Sequence, residues 1–226
     1  MELRYKCLIL DHDDTAVEST LQVHYPAHLE AMRLMRPHLK PISLEGWFLK
    51  NFDPGIMNYL SKELGMTGAE LETEYRVWRR FTESRIPLFF PGFRQMLQEY
   101  RQRGGIITVV SHSESDIIEK HYRANGKDRE SEELLPDMIF GWVSNEEQRK
   151  PSPFPVERIL ETYHLDPSEA LVVDDLKPGV TMSKATGVPV VAAGWGHRIP
   201  QIRKYMEDHC LDYFETVAGL SKFILA

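Results

Sequence analysis

The stretch that decides the fold lies at residues 7–15 and reads CLILDHDDT. It begins with a short apolar run, Cys7–Leu10, of the kind that forms a strand buried on both faces of a parallel sheet. Acidic residues follow abruptly at Asp11, Asp13 and Asp14. In parallel α/β sheets the residues just beyond the strands line the ligand crevice, so these carboxylates are candidate functional groups.

Further apolar runs of the same character lie downstream. They are Ile106–Val110, Met138–Phe140, Leu171–Val173 and Val188–Ala192. The segments between them carry helical spacing of apolar residues, at Glu114–Ala124, Val156–Tyr163 and Val180–Ala185. Strands that alternate with helices indicate an α/β fold, in which helices cover a parallel sheet and the crossovers are right-handed.

The connection between the first two apolar runs is far longer than a simple crossover requires. Within it, Thr20–Met35 and Ala69–Glu83 have helical apolar spacing, and the prolines and glycines between them act as breakers. We therefore predict two domains. An α/β core domain is built from residues 1–16 and 89–226, and an α-helical domain is inserted at residues 17–88.

Composition limits the classes of function. The chain has 226 residues and a formal net charge of −7, which disfavours a nucleic-acid partner because such binding needs clustered Lys and Arg. It has no apolar run of roughly 18 residues, so we expect no membrane partner. The apolar stretch near the start is too short for a signal peptide, and we expect a cytoplasmic protein. Its two cysteines are too few for a disulfide framework.

Polar residues also lie beyond the other predicted strands. They are Ser111, His112 and Ser113 after the second run, Lys150 in the loop after the third, and Asp174 with Asp175 after the fourth. The clustered carboxylates would repel one another without a hard dication, and Mg²⁺ prefers a few carboxylates together with water. Lys150 adds a cation, and the amides opening the helix after Ser111 suit a phosphate. The pattern predicts a site for phosphate and Mg²⁺.

The order of these residues resembles the four motifs of the haloacid dehalogenase (HAD) superfamily. Those motifs are Asp-x-Asp-x-Thr, a Ser or Thr after the second strand, a Lys, and a paired acidic motif, found here at 11–15, 111, 150 and 174–175. The helical insertion is similar to the cap of phosphoglycolate-phosphatase-like and phosphoglucomutase-like members. The resemblance implies an HAD-like, Rossmann-like parallel sheet core with an inserted α-helical cap domain.

The resemblance also implies chemical roles. Asp11 would attack phosphorus and form an aspartyl-phosphate, and Asp13 would protonate the leaving oxygen and then activate water. Members that cleave carbon–halogen bonds generally lack an acid at the position of Asp13, so a phosphate ester is the expected substrate. Ser111 and Lys150 would act as catalytic groups that neutralise the phosphate. The implied phosphate-binding residues are Ser111, His112, Ser113 and Lys150.

A magnesium site follows from the same resemblance. Mg²⁺ would be held by the side chains of Asp11 and Asp174 and by the backbone carbonyl of Asp13. For Asp175 two roles stay open, direct binding of the metal and orientation of its ligands. Asp14 stands where relatives usually have glycine, and aspartate tolerates the left-handed backbone that such a turn requires.

The expected function is a Mg²⁺-dependent phosphatase acting on a small phosphorylated metabolite. Two alternatives stay open, a phosphomutase of the same superfamily and a non-catalytic module that senses phosphate. Mutases carry a histidine on the first cap helix, where this chain has Val23 followed by His24, and this favours hydrolysis. For the aromatic residues Trp47, Phe48 and Phe52 of the insertion two roles stay open, binding of the substrate and packing in the core of the inserted domain. The oligomeric state does not follow from the sequence.

Overall fold

The computed structural model of the chain describes residues 3–124 and 134–226, and the strands in these ranges form one six-stranded parallel sheet. Residues 1, 2 and 125–133 of the predicted core domain lie outside the described residues. The strands are β1 (Cys7–Leu10), β2 (Ile106–Val110), β3 (Met138–Phe140), β4 (Ala170–Asp174), β5 (Val190–Ala193) and β6 (Tyr213–Phe214). The predicted α/β class is confirmed.

β1 lies inside the sheet, in the order β3-β2-β1-β4-β5-β6. None of its four side chains is more than 1% exposed, which explains why this strand is apolar at every position. Leu10 lies opposite Val109 of β2 and Val173 of β4, so the three strands end at one level. The strand order switches direction between β1 and β4, and such switch points are where ligands bind in open α/β sheets.

The chain divides into two compact units, Met1–Glu18 with Leu88–Ala226, and Ser19–Pro87. The second unit is helical. Its elements are a π-helical turn (Thr20–His24), α1 (Tyr25–Met35), α2 (Leu44–Phe52), α3 (Ile56–Asn58), a second π-helical turn (Tyr59–Glu63) and α4 (Gly68–Ser84). The sequence pattern did not predict α2. This helix buries Trp47, Phe48 and Phe52, so these aromatic residues belong to the core of the unit.

One core residue of the helical unit, His28 on α1, makes the unit sensitive to acid. Its side chain is 1% exposed and packs on Trp47, with ring centroids 4.5 Å apart. Neither ring nitrogen has a hydrogen-bond partner among the described residues. Burial lowers the pKa of His28 to about 4, because a charged imidazole would lose its hydration there.

We expect His28 to destabilise the fold below pH 6.5. Because its folded-state pKa is depressed, its contribution to stability is complete above the ordinary pKa of 6.5 and is lost as the pH falls toward 4. Between pH 7.5 and pH 5 the free energy of unfolding of the wild type should fall about 2 kcal/mol further than that of His28→Phe. Urea unfolding at several pH values measures this. A His38→Gln control, at an exposed histidine, should follow the wild type; parallel profiles for wild type and His28→Phe would contradict the expectation.

Helices of the first unit flank the sheet. They are α5 (Phe93–Gln102), α6 (Ser115–Ala124), α7 (Phe154–Tyr163), α8 (Lys177–Thr186), α9 (Pro200–His209) and α10 (Val217–Leu225). The core between sheet and helices contains fully buried large side chains such as Phe93, Tyr100 and Tyr122. Searched over the two described ranges, the helices include none with the length and apolar character needed to cross a membrane.

Candidate active site

Three strand ends bring a lysine between two buried carboxylates. Asp11 directly follows β1, and its backbone N–H donates to the carbonyl of Val173 on β4, 2.9 Å away. Lys150 Nζ lies 2.7 Å from Asp11 Oδ1 and 2.5 Å from Asp174 Oδ2. All three side chains are at most 7% exposed. The other oxygen of Asp174 accepts from the N–H of Leu176 at 3.0 Å, so the turn after β4 fixes this carboxylate.

The charges of this group are not balanced. Burial raises the pKa of Asp11 well above its ordinary value, and the charge of Lys150 offsets this only in part. Burial likewise raises the pKa of Asp174 to about 6, with Lys150 acting against it and Asp175 adding to it. For Lys150 itself, burial works to lower the pKa, but the two carboxylates outweigh burial and raise it. One ammonium group is therefore too little positive charge for these carboxylates.

The second carboxylate of the β1 loop, Asp13, is held by two hydroxyl groups from the loop after β2. Its Oδ2 accepts from Ser113 Oγ at 2.7 Å and from Ser111 Oγ at 3.2 Å. The N–H of Ser113 donates to Ser111 Oγ at 3.1 Å, which fixes the hydroxyl between them. The loops after β1 and β2 thus bring an acid and two hydroxyls together just ahead of α6, which begins at Ser115.

Contacts of Arg149 and His112 hold the loop that carries Lys150 in place. The guanidinium of Arg149 stacks 3.8 Å from the ring of Trp142 and donates to the carbonyls of Val143 and Ser144. The ring of His112 bonds the carbonyl of Lys150 at 2.7 Å, and because a carbonyl only accepts, Nε2 of His112 carries the proton. His112 is exposed, and its ring is engaged with the backbone of the lysine loop.

Asp175 is buried beside Asp174 and faces two side chains from other loops. Its Oδ2 lies 3.3 Å from His197 Nε2, and its Oδ1 accepts from Thr15 Oγ1 at 3.4 Å. Burial works to lower the pKa of His197, but the adjacent Asp175 carboxylate outweighs burial and raises it. These contacts orient Asp175 toward the carboxylate cluster.

The loop after β5 also supports the turn after β1. Trp195 Nε1 donates to the carbonyl of Thr15 at 2.9 Å. A Cβ on Gly196 would lie only 2.2 Å from the carbonyl oxygen of Asp14, so this close approach requires glycine. Asp14 itself has a φ of +58°, which confirms that aspartate occupies a left-handed turn here.

The donor set fits a hard divalent cation. Ligand atoms of Asp11, Asp174 and Asp175 all lie within 4.8 Å of one another, and all three residues are buried. Buried carboxylates crowded in this way are stabilised by a cation that prefers oxygen ligands, such as Mg²⁺. The side chain of Asp13 does not belong to this group of three, which leaves its backbone carbonyl as the predicted ligand atom.

The sequence pattern named the carboxylates, the serines and the lysine, and the structure brings their side chains together. It did not identify His197 or Thr15 as partners of Asp175, nor the bond from His112 to the lysine loop. The only sequence signal for the first was the Gly194-Trp195-Gly196 turn after β5, which precedes His197.

Comparisons with known proteins identify the family of this chain. The family model described as haloacid dehalogenase-like hydrolase matches residues 55–193, more than half of the chain. A phosphoglycolate phosphatase of Pasteurella multocida is 22% identical over 95% of this chain and 97% of its own length. Another, from Rhodospirillum rubrum, is 40% identical over 65 residues, which are 28% of this chain and 27% of that protein.

Solved structures agree on the fold. The crystal structure of a haloacid dehalogenase-like hydrolase from Bacteroides fragilis superposes with a TM-score of 0.78 at 18% identity, covering 96% of this chain and 99% of that one. Likeness at this identity concerns the fold, and the match of the family model concerns the sequence. Together they place the chain: it belongs to the haloacid dehalogenase-like hydrolase family.

Proposed function

We propose that the protein is a Mg²⁺-dependent phosphatase that hydrolyses a small phosphorylated metabolite through an aspartyl-phosphate on Asp11. The observation that carries the proposal is the buried group in which Lys150 Nζ lies 2.7 Å from the Asp11 carboxylate and 2.5 Å from Asp174. Covalent phosphoryl transfer needs a nucleophile and a general acid. Asp11, oriented by the ammonium group of Lys150, can serve as the nucleophile, and Asp13 can serve as the acid.

Asp11 and Asp13 divide the chemistry between them. In the first step an oxygen of Asp11 bonds to phosphorus while the bond to the leaving oxygen breaks, and Asp13 gives its proton to that oxygen. In the second step Asp13 takes a proton from water, the water oxygen bonds to phosphorus, and the Asp11 carboxylate is released. The hydroxyls of Ser111 and Ser113, which donate to Asp13, hold this acid beside the nucleophile.

Lys150 and the proposed metal neutralise charge. The residues that would hold Mg²⁺ are Asp11, Asp174 and Asp175, together with the backbone carbonyl of Asp13. When bound, the metal supplies the positive charge that a transferred phosphoryl group needs. Lys150 contributes its ammonium to the same charge and keeps Asp11 and Asp174 aligned through its two contacts. The ring of His112 keeps Lys150 in place by its hydrogen bond to the backbone carbonyl of Lys150.

The relatives support a small substrate. Curated relatives matched over most of their length carry the name phosphoglycolate phosphatase, and phosphoglycolate is a small phosphate monoester. We propose a substrate of that size class, with residues 17–88 as the cap domain and residues 1–16 and 89–226 as the catalytic core. The raised pKa values of Asp11 and Asp174 agree with a site that works with a bound cation.

A phosphomutase is the competing enzyme. In the helical unit Val23 is fully buried, and the neighbouring His24 accepts a hydrogen bond on Nδ1 from Trp78 Nε1 at 2.9 Å. Val23 has no group that can transfer a proton, which supports hydrolysis. The test is release of inorganic phosphate from a panel of small phosphate monoesters with and without Mg²⁺. We expect Mg²⁺-dependent release; isomerisation of a sugar phosphate faster than release, or no turnover of any monoester, would overturn the proposal.

A further inference from the structure

A buried pair of histidines connects the nucleophile loop to the helix that follows the phosphate loop. His12 lies between Asp11 and Asp13, and its Nε2 is 2.9 Å from Nδ1 of His121 on α6. The exposed fractions of the two side chains are 0% and 2%. Their rings stack with centroids 5.2 Å apart, and the ring of His12 also stacks on Tyr122 at 5.8 Å.

Three consecutive residues of the β1 loop, Asp11, His12 and Asp13, have different partners. Asp11 contacts Lys150, while Asp13 contacts Ser111 and Ser113. His12, between them, turns into the core and reaches α6 instead. Its carbonyl also accepts from the N–H groups of Ala16 and Val17, which closes the loop on itself. A backbone shift at His12 would displace both neighbouring carboxylates, because each is joined to it by one planar peptide unit.

Among the described residues, two links join the loop after β1 to the segment that follows β2. One consists of the hydrogen bonds from Ser111 and Ser113 to Asp13, and these groups belong to the proposed reaction site. The other is the bond between His12 and His121, which lies in the core and takes no part in the chemistry. Since α6 starts directly after the phosphate loop, the bond to His121 connects the helix that follows that loop to the nucleophile loop.

We propose that His12 and His121 are positioning residues that keep Asp11 and Asp13 aligned with the phosphate loop during turnover. The inference rests on the proposed phosphatase function. It predicts an effect on kcat without an effect on KM, because misplacement of reacting groups by about 1 Å can cost up to roughly 100-fold in rate. A purely structural pair would change stability alone.

The two ring nitrogens that meet allow a reciprocal test. The side-chain amide of asparagine ends near the position of a histidine Nδ1, and that of glutamine near the position of Nε2. At His121, which bonds through Nδ1, asparagine should preserve the link and glutamine should not. At His12, which bonds through Nε2, glutamine should preserve it and asparagine should not. Each pair of variants differs by one methylene group and is matched in polarity.

The experiment measures kcat and KM of the full chain with an aryl phosphate and Mg²⁺, together with the thermal unfolding midpoint. We expect His121→Asn and His12→Gln to keep wild-type kcat, and His121→Gln and His12→Asn to lose about 10-fold or more at unchanged KM. The double variant His12→Asn/His121→Gln should lose no more than either single variant, since both break one link.

Equal kcat for all four single variants would overturn the inference, as would losses that follow the unfolding midpoint and not the reciprocal pattern. Additive losses in the double variant would also contradict a shared link. An inactive wild type would overturn the proposed function and this inference together, whereas an active wild type with active variants removes the inference alone.

Discussion

Asp11→Asn is expected to lower phosphate release at least about 1,000-fold, because the amide cannot attack phosphorus. The fold should survive. Asparagine has nearly the same size as aspartate. It also removes one negative charge from a buried site, where burial already disfavours the charged form of Asp11 and raises its pKa. Lys150 keeps Asp174 as its partner at 2.5 Å, so the lysine is not left alone in the core.

Phosphate release and the thermal unfolding midpoint measured on the same preparations separate a loss of chemistry from a loss of fold. Asp208→Asn is the matched control, since Asp208 pairs with Lys204 on the surface of α9, with both side chains more than half exposed. This control should keep wild-type activity and stability. Near-wild-type turnover of Asp11→Asn would exclude Asp11 as the nucleophile.

Removal of divalent metal is expected to abolish turnover, and Mg²⁺ should restore it. The cause is the imbalance of charge around Asp11, Asp174 and Asp175, whose ligand atoms lie within 4.8 Å of one another with Lys150 as their close cation. Asp174→Asn and Asp175→Asn should each raise the Mg²⁺ concentration for half-maximal activity by about 10-fold or more. The two substitutions also separate the roles of the paired carboxylates.

Calorimetric titration of the substrate-free protein with Mg²⁺ provides a readout that does not depend on turnover. A variant that loses metal affinity identifies a ligand or its support, whereas one that loses kcat at unchanged affinity identifies a different role. His197→Asn tests the support of Asp175, which lies 3.3 Å from the His197 ring. Full activity of the wild type in excess chelator would contradict a metal-dependent mechanism.

The central strands β1 and β2 were predictable because burial on both faces leaves little choice of residue, and both begin and end at the predicted residues. The edge strand β3 also has the predicted bounds, although its three residues are only partly buried. The run at Val188–Ala192 predicted β5 with shifted bounds, because the strand is Val190–Ala193 and Val188 is buried without being part of it. β6, with only Tyr213 and Phe214, both half-buried at the sheet edge, carries no such signal.

The candidate site was predictable only as a set of residues. Strand ends of a parallel sheet meet at one edge, so the sequence could indicate that Asp11, Ser111 and Asp174 converge. Which partner each side chain takes depends on loop conformation and rotamers, which no short pattern encodes. The contact of Asp175 with His197 and the bond between His12 and His121 join residues far apart in sequence, and only the folded chain reveals them.

The central claim is the covalent intermediate on Asp11, and trapping it is the most direct test. Asp13→Asn with an aryl phosphate suits this purpose, because a good leaving group needs no acid while the second step lacks its base. Acid quenching during turnover, borohydride reduction and peptide mass analysis should then find homoserine at position 11, formed by hydride addition to the acyl carbon with loss of phosphate. The double variant Asp11→Asn/Asp13→Asn should show none. Phosphate trapped on another residue, or turnover without any modification at position 11, would contradict the account.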